Sequence, residues 1–290
     1  MMALLHFFRL SRPTNVLIAV LAFALACFLS CGSDFTFLAE LRFWSSAVCI
    51  AMITATGYWI NDVHDFKIDR INKPGKTIVN AHLSVKKALT GYFVTLLLTL
   101  MLSVATLGIL LTGLNLLVIL LLFAYAAYFK RVSVVGNLLV AALTALVIYY
   151  AALLFEARMS IIWTMMFAFE VTFLRELAKD IEDIPGDVQY KLQTLPIRIG
   201  IKGAKRVLAT CYVLFIASCY APFVYERLVY EKWNWAYLAA SLLLVQGPAI
   251  WLMARLRQAN EPAHFSFQAR WLKWLTLAGF VSVMLLSAGS

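Results

Sequence analysis

Apolar stretches of about twenty residues recur along this chain, and short joints between them carry most of its charge. They cover about 14–31, 43–62, 86–107, 113–129, 134–155, 160–180, 203–225, 234–254 and 268–288. A helix rises about 1.5 Å per residue, so about twenty residues cross the roughly 30 Å of a bilayer's hydrocarbon core. Barrel strands would switch character at every second residue, and these stretches do not. The pattern predicts an all-α membrane protein of about nine transmembrane helices. The third and fourth are parted only by "LGILLTGLN", and no joint has room for a soluble domain, so residues 1–290 read as a single membrane-embedded domain. Arg9 and Arg12 precede the first apolar stretch as they would in a leader, yet the rest of the chain is embedded too, and we read that stretch as a retained span.

Composition agrees. Of 290 residues, 63% are hydrophobic, and the mean hydropathy of +0.83 is beyond what a water-soluble domain hides. The net charge of +10 points to nucleic acid only until the basic residues are placed on the spans. With the N-terminus in the cytoplasm, only Arg42, Arg158, Arg227 and Lys232 of the 25 lysines and arginines fall on the far side. That asymmetry is the positive-inside signature of a multi-pass protein of the cell membrane, its excess charge lying against an anionic leaflet, with no nucleic-acid partner needed. The five cysteines are odd in number and lie mostly inside apolar stretches, where they read as small hydrophobes.

Against this background the acids stand out. In "WINDVHDFKIDR", Asp62, Asp65 and Asp69 recur at i, i+3 and i+7, the spacing of one helix face, with Asn61 four residues before Asp65. "RELAKDIEDIPGD" repeats the spacing in Asp180, Asp183 and Asp187, although Pro185 and Gly186 interrupt the helix before the last. Both sets emerge on the cytoplasmic side. Clustered carboxylates repel one another near lipid, and Mg²⁺, which takes oxygen ligands from a few carboxylates together with substrate phosphates, offsets them. Lys73, Lys76, Lys130, Arg131 and Arg198 are candidates to contact phosphate oxygens, each with interfacial snorkelling as its alternative. His64 and His82 read as ordinary loop histidines. Glu170 lies inside the sixth stretch, with a proton-accepting role and a structural hydrogen bond both open. A cation transporter is the alternative of another class, but it would carry its acids near the midplane.

These motifs resemble those of the UbiA-type membrane prenyltransferases. "NDVHDFKIDR" followed by "NKP" is similar to the family's first aspartate motif, and "KDIEDIPGDVQYKLQTLPIRIG" to its second; "RLSRPTN" and "YFKRVSVVGNLLVA" are further landmarks. The resemblance implies helices around a central cavity capped by cytoplasmic loops. It implies that two Mg²⁺ ions and a polyprenyl diphosphate are held through Asn61, Asp65, Asp69, Asp183 and Asp187. Asp62 and Asp180 match motif positions too, with the orienting of lysines or waters as a second role. Lys130 and Tyr128 fall where the family places diphosphate contacts. The wording of the second motif is closest to the geranylgeranylglycerol-phosphate geranylgeranyltransferase and chlorophyll synthase branches, so a glycerol-phosphate ether lipid is the first expectation for the lipophilic acceptor, with a quinone precursor or a tetrapyrrole as alternatives. Oligomeric state stays open. An allylic cation formed in such a cavity needs shelter from water and aromatic faces, for which Tyr149, Tyr150, Phe169 and Phe173 are the candidates.

Overall fold

The computed structural model describes residues 2–72, 74, 75 and 77–286, which fold as thirteen α-helices with no β-sheet among them. In chain order they are α1 Met2–Leu10, α2 Pro13–Ser30, α3 Leu41–Asn72, α4 Val85–Thr106, α5 Gly108–Ala127, α6 Val135–Leu154, α7 Met159–Glu182, α8 Ile184–Gln189, α9 Leu195–Ser218, α10 Ala221–Tyr230, α11 Trp235–Ala240, α12 Gly247–Arg255 and α13 Pro262–Val283. Their beginnings follow local chemistry. Pro13, Pro185, Pro196 and Pro262 sit in first turns, where the missing N–H goes unnoticed, and the Ser84 side chain accepts from the Lys87 N–H to cap α4.

Seven helical segments are long and apolar enough to cross a membrane: α2, α3, α4, α5, α6, the combined 195–230 segment of α9 and α10, and the 235–255 segment, in which the π-helical turn Ser241–Gln246 joins α11 to α12. The stretch expected at 160–180 is also helical, α7, and the one expected at 268–288 is helical as far as Val283 in α13, its last two residues lying outside the described residues; both helices are more polar. Glu170, Arg175, Glu176 and Lys179 interrupt one, and Gln268, Arg270 and Lys273 the other. The reason lies in packing: α7 is flanked by α6 and α13, and both polar helices contribute side chains to an interior cavity instead of meeting lipid all round. Elsewhere the apolar surface points outward, with Ile109, Leu228 and Leu243 at least three-quarters exposed, as lipid-facing residues should be.

Helix α3 has 32 residues, about 48 Å at 1.5 Å per residue, well beyond the hydrocarbon thickness. Asn61 is its twenty-first residue, so the acidic turns ride on the part that has outrun the membrane core. In α7 the twenty-second residue is Asp180. Two buried apolar clusters hold these helices: one gathers α2, α6 and the starts of α3 and α7, and the other joins α7 to α9, α12 and α13. A third, of Leu10, Trp59, Ile60 and Tyr92 with their neighbours, fixes α1 and α4 against the acidic half of α3. The indole of Trp59 donates to the Ser11 hydroxyl at 2.9 Å there.

Candidate functional site

A cavity of about 260 Å³ opens among α2, α3, α5, α6, α7 and α13. Each helix lends it one stripe at three- and four-residue spacing: Asn15, Ile18, Ala19 and Ala22 from α2; Asn115, Val118, Leu122 and Tyr125 from α5; Lys273, Thr276 and Phe280 from α13. One end is polar, with Asn61, Asp69, Asp180 and Asp183 among cations. The other is apolar, with Ile50, Ile53, Val147 and Phe280 around Tyr150.

The two acidic motifs meet at the polar end. Helix α7 ends at Glu182, Asp183 takes its C-cap, and Pro185 starts the short α8, which brings Asp187 back under Asp183, the Asp187 N–H donating to the Asp183 carbonyl at 3.1 Å. The Gly186 N–H donates to the side-chain oxygen of Asn72, the last residue of α3, at 2.7 Å. Glycine suits this approach, because a Cβ on residue 186 would stand 2.6 Å from the Asn72 amide and push that side chain aside. The helix interruption foreseen at Pro185–Gly186 thus becomes a clip between the motifs.

Individual acids differ in their partners. Asp65, 4% exposed, accepts from the Lys130 ammonium. Asp62 accepts from Arg12 at 2.6 Å, whose guanidinium also lies over the Tyr58 ring. Asp180 accepts from the Asn137 amide at 2.9 Å. Asp187 is buried, and that burial, with the Asp183 carboxylate beside it, pushes its carboxyl up to about 7. Burial works against the charge of Lys130, but Asp65 outweighs it and holds the ammonium well above its ordinary value. Lys130 is delivered by the 3₁₀ turn Phe129–Arg131, which lies on α6 because residue 136 is glycine; a Cβ there would come within 2.9 Å of the Phe129 carbonyl.

The other sequence candidates fall in different places. Tyr128 is 69% exposed and Arg198 is exposed, and neither lines the cavity. The helical phase that carries Asn115 and Leu122 inward brings Tyr125 to the cavity in place of Tyr128, while Arg198 lies at the start of α9, which contributes no lining residue. Lys73 and Lys76 lie outside the described residues. Of the four aromatic candidates, Tyr150 lines the cavity. Tyr149 is 41% exposed, and Phe169 and Phe173 stack on each other away from it. The Glu170 carboxylate accepts from Ser218 of α9 at 2.6 Å, the structural role of the two left open. His64 bonds the Ile60 carbonyl one turn back, and His82 stacks on His6. Arg12, Tyr58, Tyr125, Asn137, Glu176 and Lys273 are site residues that no motif spacing singles out in the sequence. Arg12 lies within the "RLSRPTN" landmark, and the α5 stripe ending in Tyr125 follows a helical periodicity. Lys273 carries no local signal.

Among the described residues, no three carboxylates, histidines or cysteines close on one point. Lys130 engages Asp65, and Asn137 engages Asp180. An all-oxygen set of this kind fits Mg²⁺ rather than zinc, because Mg²⁺ usually takes one or two carboxylates and completes its shell with water and substrate phosphate.

Residues 16–277 match the model described as the UbiA prenyltransferase family. A digeranylgeranylglyceryl phosphate synthase of Saccharolobus solfataricus is 33% identical, over 83% of this chain and 83% of its own length. A solved structure described as a digeranylgeranylglyceryl phosphate synthase in membranes superposes with a TM-score of 0.73 at 23% identity, covering 99% of both chains. A UbiA homologue from Archaeoglobus fulgidus, bound to GPP and Mg²⁺, does so with a TM-score of 0.67 at 18% identity, covering 96% of this chain and 99% of that one.

Proposed function

The chain belongs to the UbiA prenyltransferase family, and on that footing we propose that it moves a geranylgeranyl group from its diphosphate to the free hydroxyl of geranylgeranylglycerol phosphate. Cation transport drops out as the alternative. The observation that carries the reading is the clip between Asn72 and Gly186, which sets both acidic motifs over one mouth of a chamber that is polar above and apolar below. The name of the Saccharolobus solfataricus relative supports the acceptor, and the A. fulgidus homologue with GPP and Mg²⁺ supports the metal and the donor class.

In this reading Asn61, Asp65, Asp69, Asp183 and Asp187 hold two Mg²⁺ ions, with Asp62 orienting Arg12 and Asp180 fixed by Asn137. When bound, the ions supply a template for the diphosphate and neutralise charge on the leaving group. The acceptor oxygen forms a bond to the first carbon of the allylic chain. The bond from that carbon to the diphosphate oxygen breaks, its electron pair leaves with the diphosphate, and the hydroxyl proton is released. Lys130, which lines the polar end, would donate to that growing charge. In this reading the apolar end would keep water from the allylic carbon, and Tyr150 and Phe280, which line it, would supply aromatic rings for the developing cation. Residues 1–290 act as one embedded domain of the cell membrane, with the N-terminus and the acidic mouth in the cytoplasm, as the distribution of lysine and arginine supports.

The test is a reconstitution. Purified protein in liposomes receives isotope-labelled geranylgeranyl diphosphate and a panel of phosphoglycerol, quinone-precursor and tetrapyrrole acceptors, and products are read by mass spectrometry. We expect a di-ether glycerol phosphate and one pyrophosphate per turnover, only with Mg²⁺ present. Asp65→Ala and Asp183→Ala should lose turnover while remaining folded. Prenylation of an aromatic acceptor with none of the phosphoglycerol one would overturn the acceptor.

A further inference from the structure

We propose that Arg12, Arg175 and Lys273 form a second anion site in this cavity, one that takes a phosphate monoester on the acceptor and so selects phosphorylated acceptors over neutral ones. The proposal rests on the phosphoglycerol reading above and gives that acceptor its recognition residues.

The argument begins with charge. Arg12, Arg175, Lys179 and Lys273 all line the cavity, on α7, α13 and the turn into α2. Two carboxylates answer them directly: Asp62 holds Arg12 at 2.6 Å, and Glu176 is shared between Lys179, at 2.8 Å, and Arg175, at 3.2 Å. Among the described residues Lys273 is left with no carboxylate partner, and Arg175 shares its carboxylate with Lys179. The Lys273 ammonium donates to the Thr14 hydroxyl at 2.6 Å and makes no ion pair among the described residues, and Arg175 and Arg12 line the same cavity. Gathering like charges beside apolar helices is unfavourable, and an anion arriving from outside relieves it. A phosphate monoester, at about −1.5 to −2 near neutral pH, is such an anion.

Position separates Arg175 and Lys273 from the donor's cations. Lys130 reaches Asp65 from the turn between α5 and α6, and Arg12, in the turn into α2, holds Asp62 of the first motif, whereas Arg175 and Lys273 come from α7 and α13. Arg175 precedes Asp183 by eight residues, about 12 Å along the axis, and helical side chains lean toward the N-terminus, away from the acids. Its guanidinium has five N–H donors, more than Glu176 uses. A phosphate anchored here leaves the hydroxyl on the neighbouring glycerol carbon free to face the donor.

The test compares the wild type with Lys273→Gln and Lys273→Arg on two acceptors, geranylgeranylglycerol phosphate and its dephosphorylated counterpart. The expected result is a wild-type preference for the phosphate in kcat/KM that Lys273→Gln cuts by about tenfold or more through a raised acceptor KM, with the donor KM unchanged and Lys273→Arg retaining the preference. A second readout needs no turnover. In EDTA, the phosphorylated acceptor should raise the melting temperature of the wild type and of Lys273→Arg but not of Lys273→Gln, and inorganic phosphate should do so only at far higher concentration. A Lys273→Gln enzyme that keeps the preference, or that raises the donor KM instead, overturns the second site while the phosphoglycerol reading stands. A wild type that prenylates only neutral acceptors overturns both, and is recognised because the unmodified enzyme then shows no preference to lose.

Discussion

At the scale of single residues, the pairing of Lys130 with Asp65 is the most consequential contact. Asp65 is almost wholly buried, so removing its cation strands a carboxylate away from water, a loss of about 2 kcal/mol. Lys130→Met should therefore lower the melting temperature of metal-free protein in detergent. Mg²⁺ with a diphosphate should restore more of it than the same addition gains for the wild type, because the metal then takes over the neutralising role. Equal gains in both proteins would count against Asp65 as a ligand. This pairing shows why some site residues were legible in the chain and others were not. Asp62, Asp65 and Asp69 announce themselves by a helical spacing within one segment. Lys130 could be nominated from its neighbourhood, but its partner is 65 residues away. Lys273 reaches Thr14 across 259 residues and looks like any interfacial lysine.

At the scale of elements, the important joint is the break between α7 and α8. A proline and a glycine in that position foretell a helix end, but not that the released glycine N–H would be met by the last side chain of α3. Gly186→Ala should press a methyl group into the Asn72 amide and part the two motifs. Turnover should fall by about a hundredfold, the usual penalty for roughly an ångström of misalignment, while expression and detergent stability stay near wild type. An alanine variant with full turnover would show that the clip does not set the alignment. The same scale explains the mixed legibility of the spans. Apolar stretches mark all of these helices in the sequence, but α7 and α13 are the ones that give up apolarity where Glu176, Lys179 and Lys273 turn toward the cavity. The residues that weaken them as membrane helices are those that equip them for chemistry.

At the scale of the whole molecule, the charge asymmetry predicts which face meets the cytoplasm. In a cysteine-free background, Lys232→Cys should react with a membrane-impermeant thiol reagent on intact cells, and Lys202→Cys only after the membrane is opened. The reverse would invert the topology. Helix α3 adds a further consequence, because its length lifts the acidic turns just clear of the hydrocarbon while its lower turns stay immersed. The proposed donor and acceptor are both amphiphiles with a charged head and a long tail, so on that proposal neither has to leave the leaflet to reach the site. Their encounters are then collisions in two dimensions. The velocity would follow the mole fraction of each lipid in the sheet, falling as inert lipid is added even while the amount per volume of suspension is held constant.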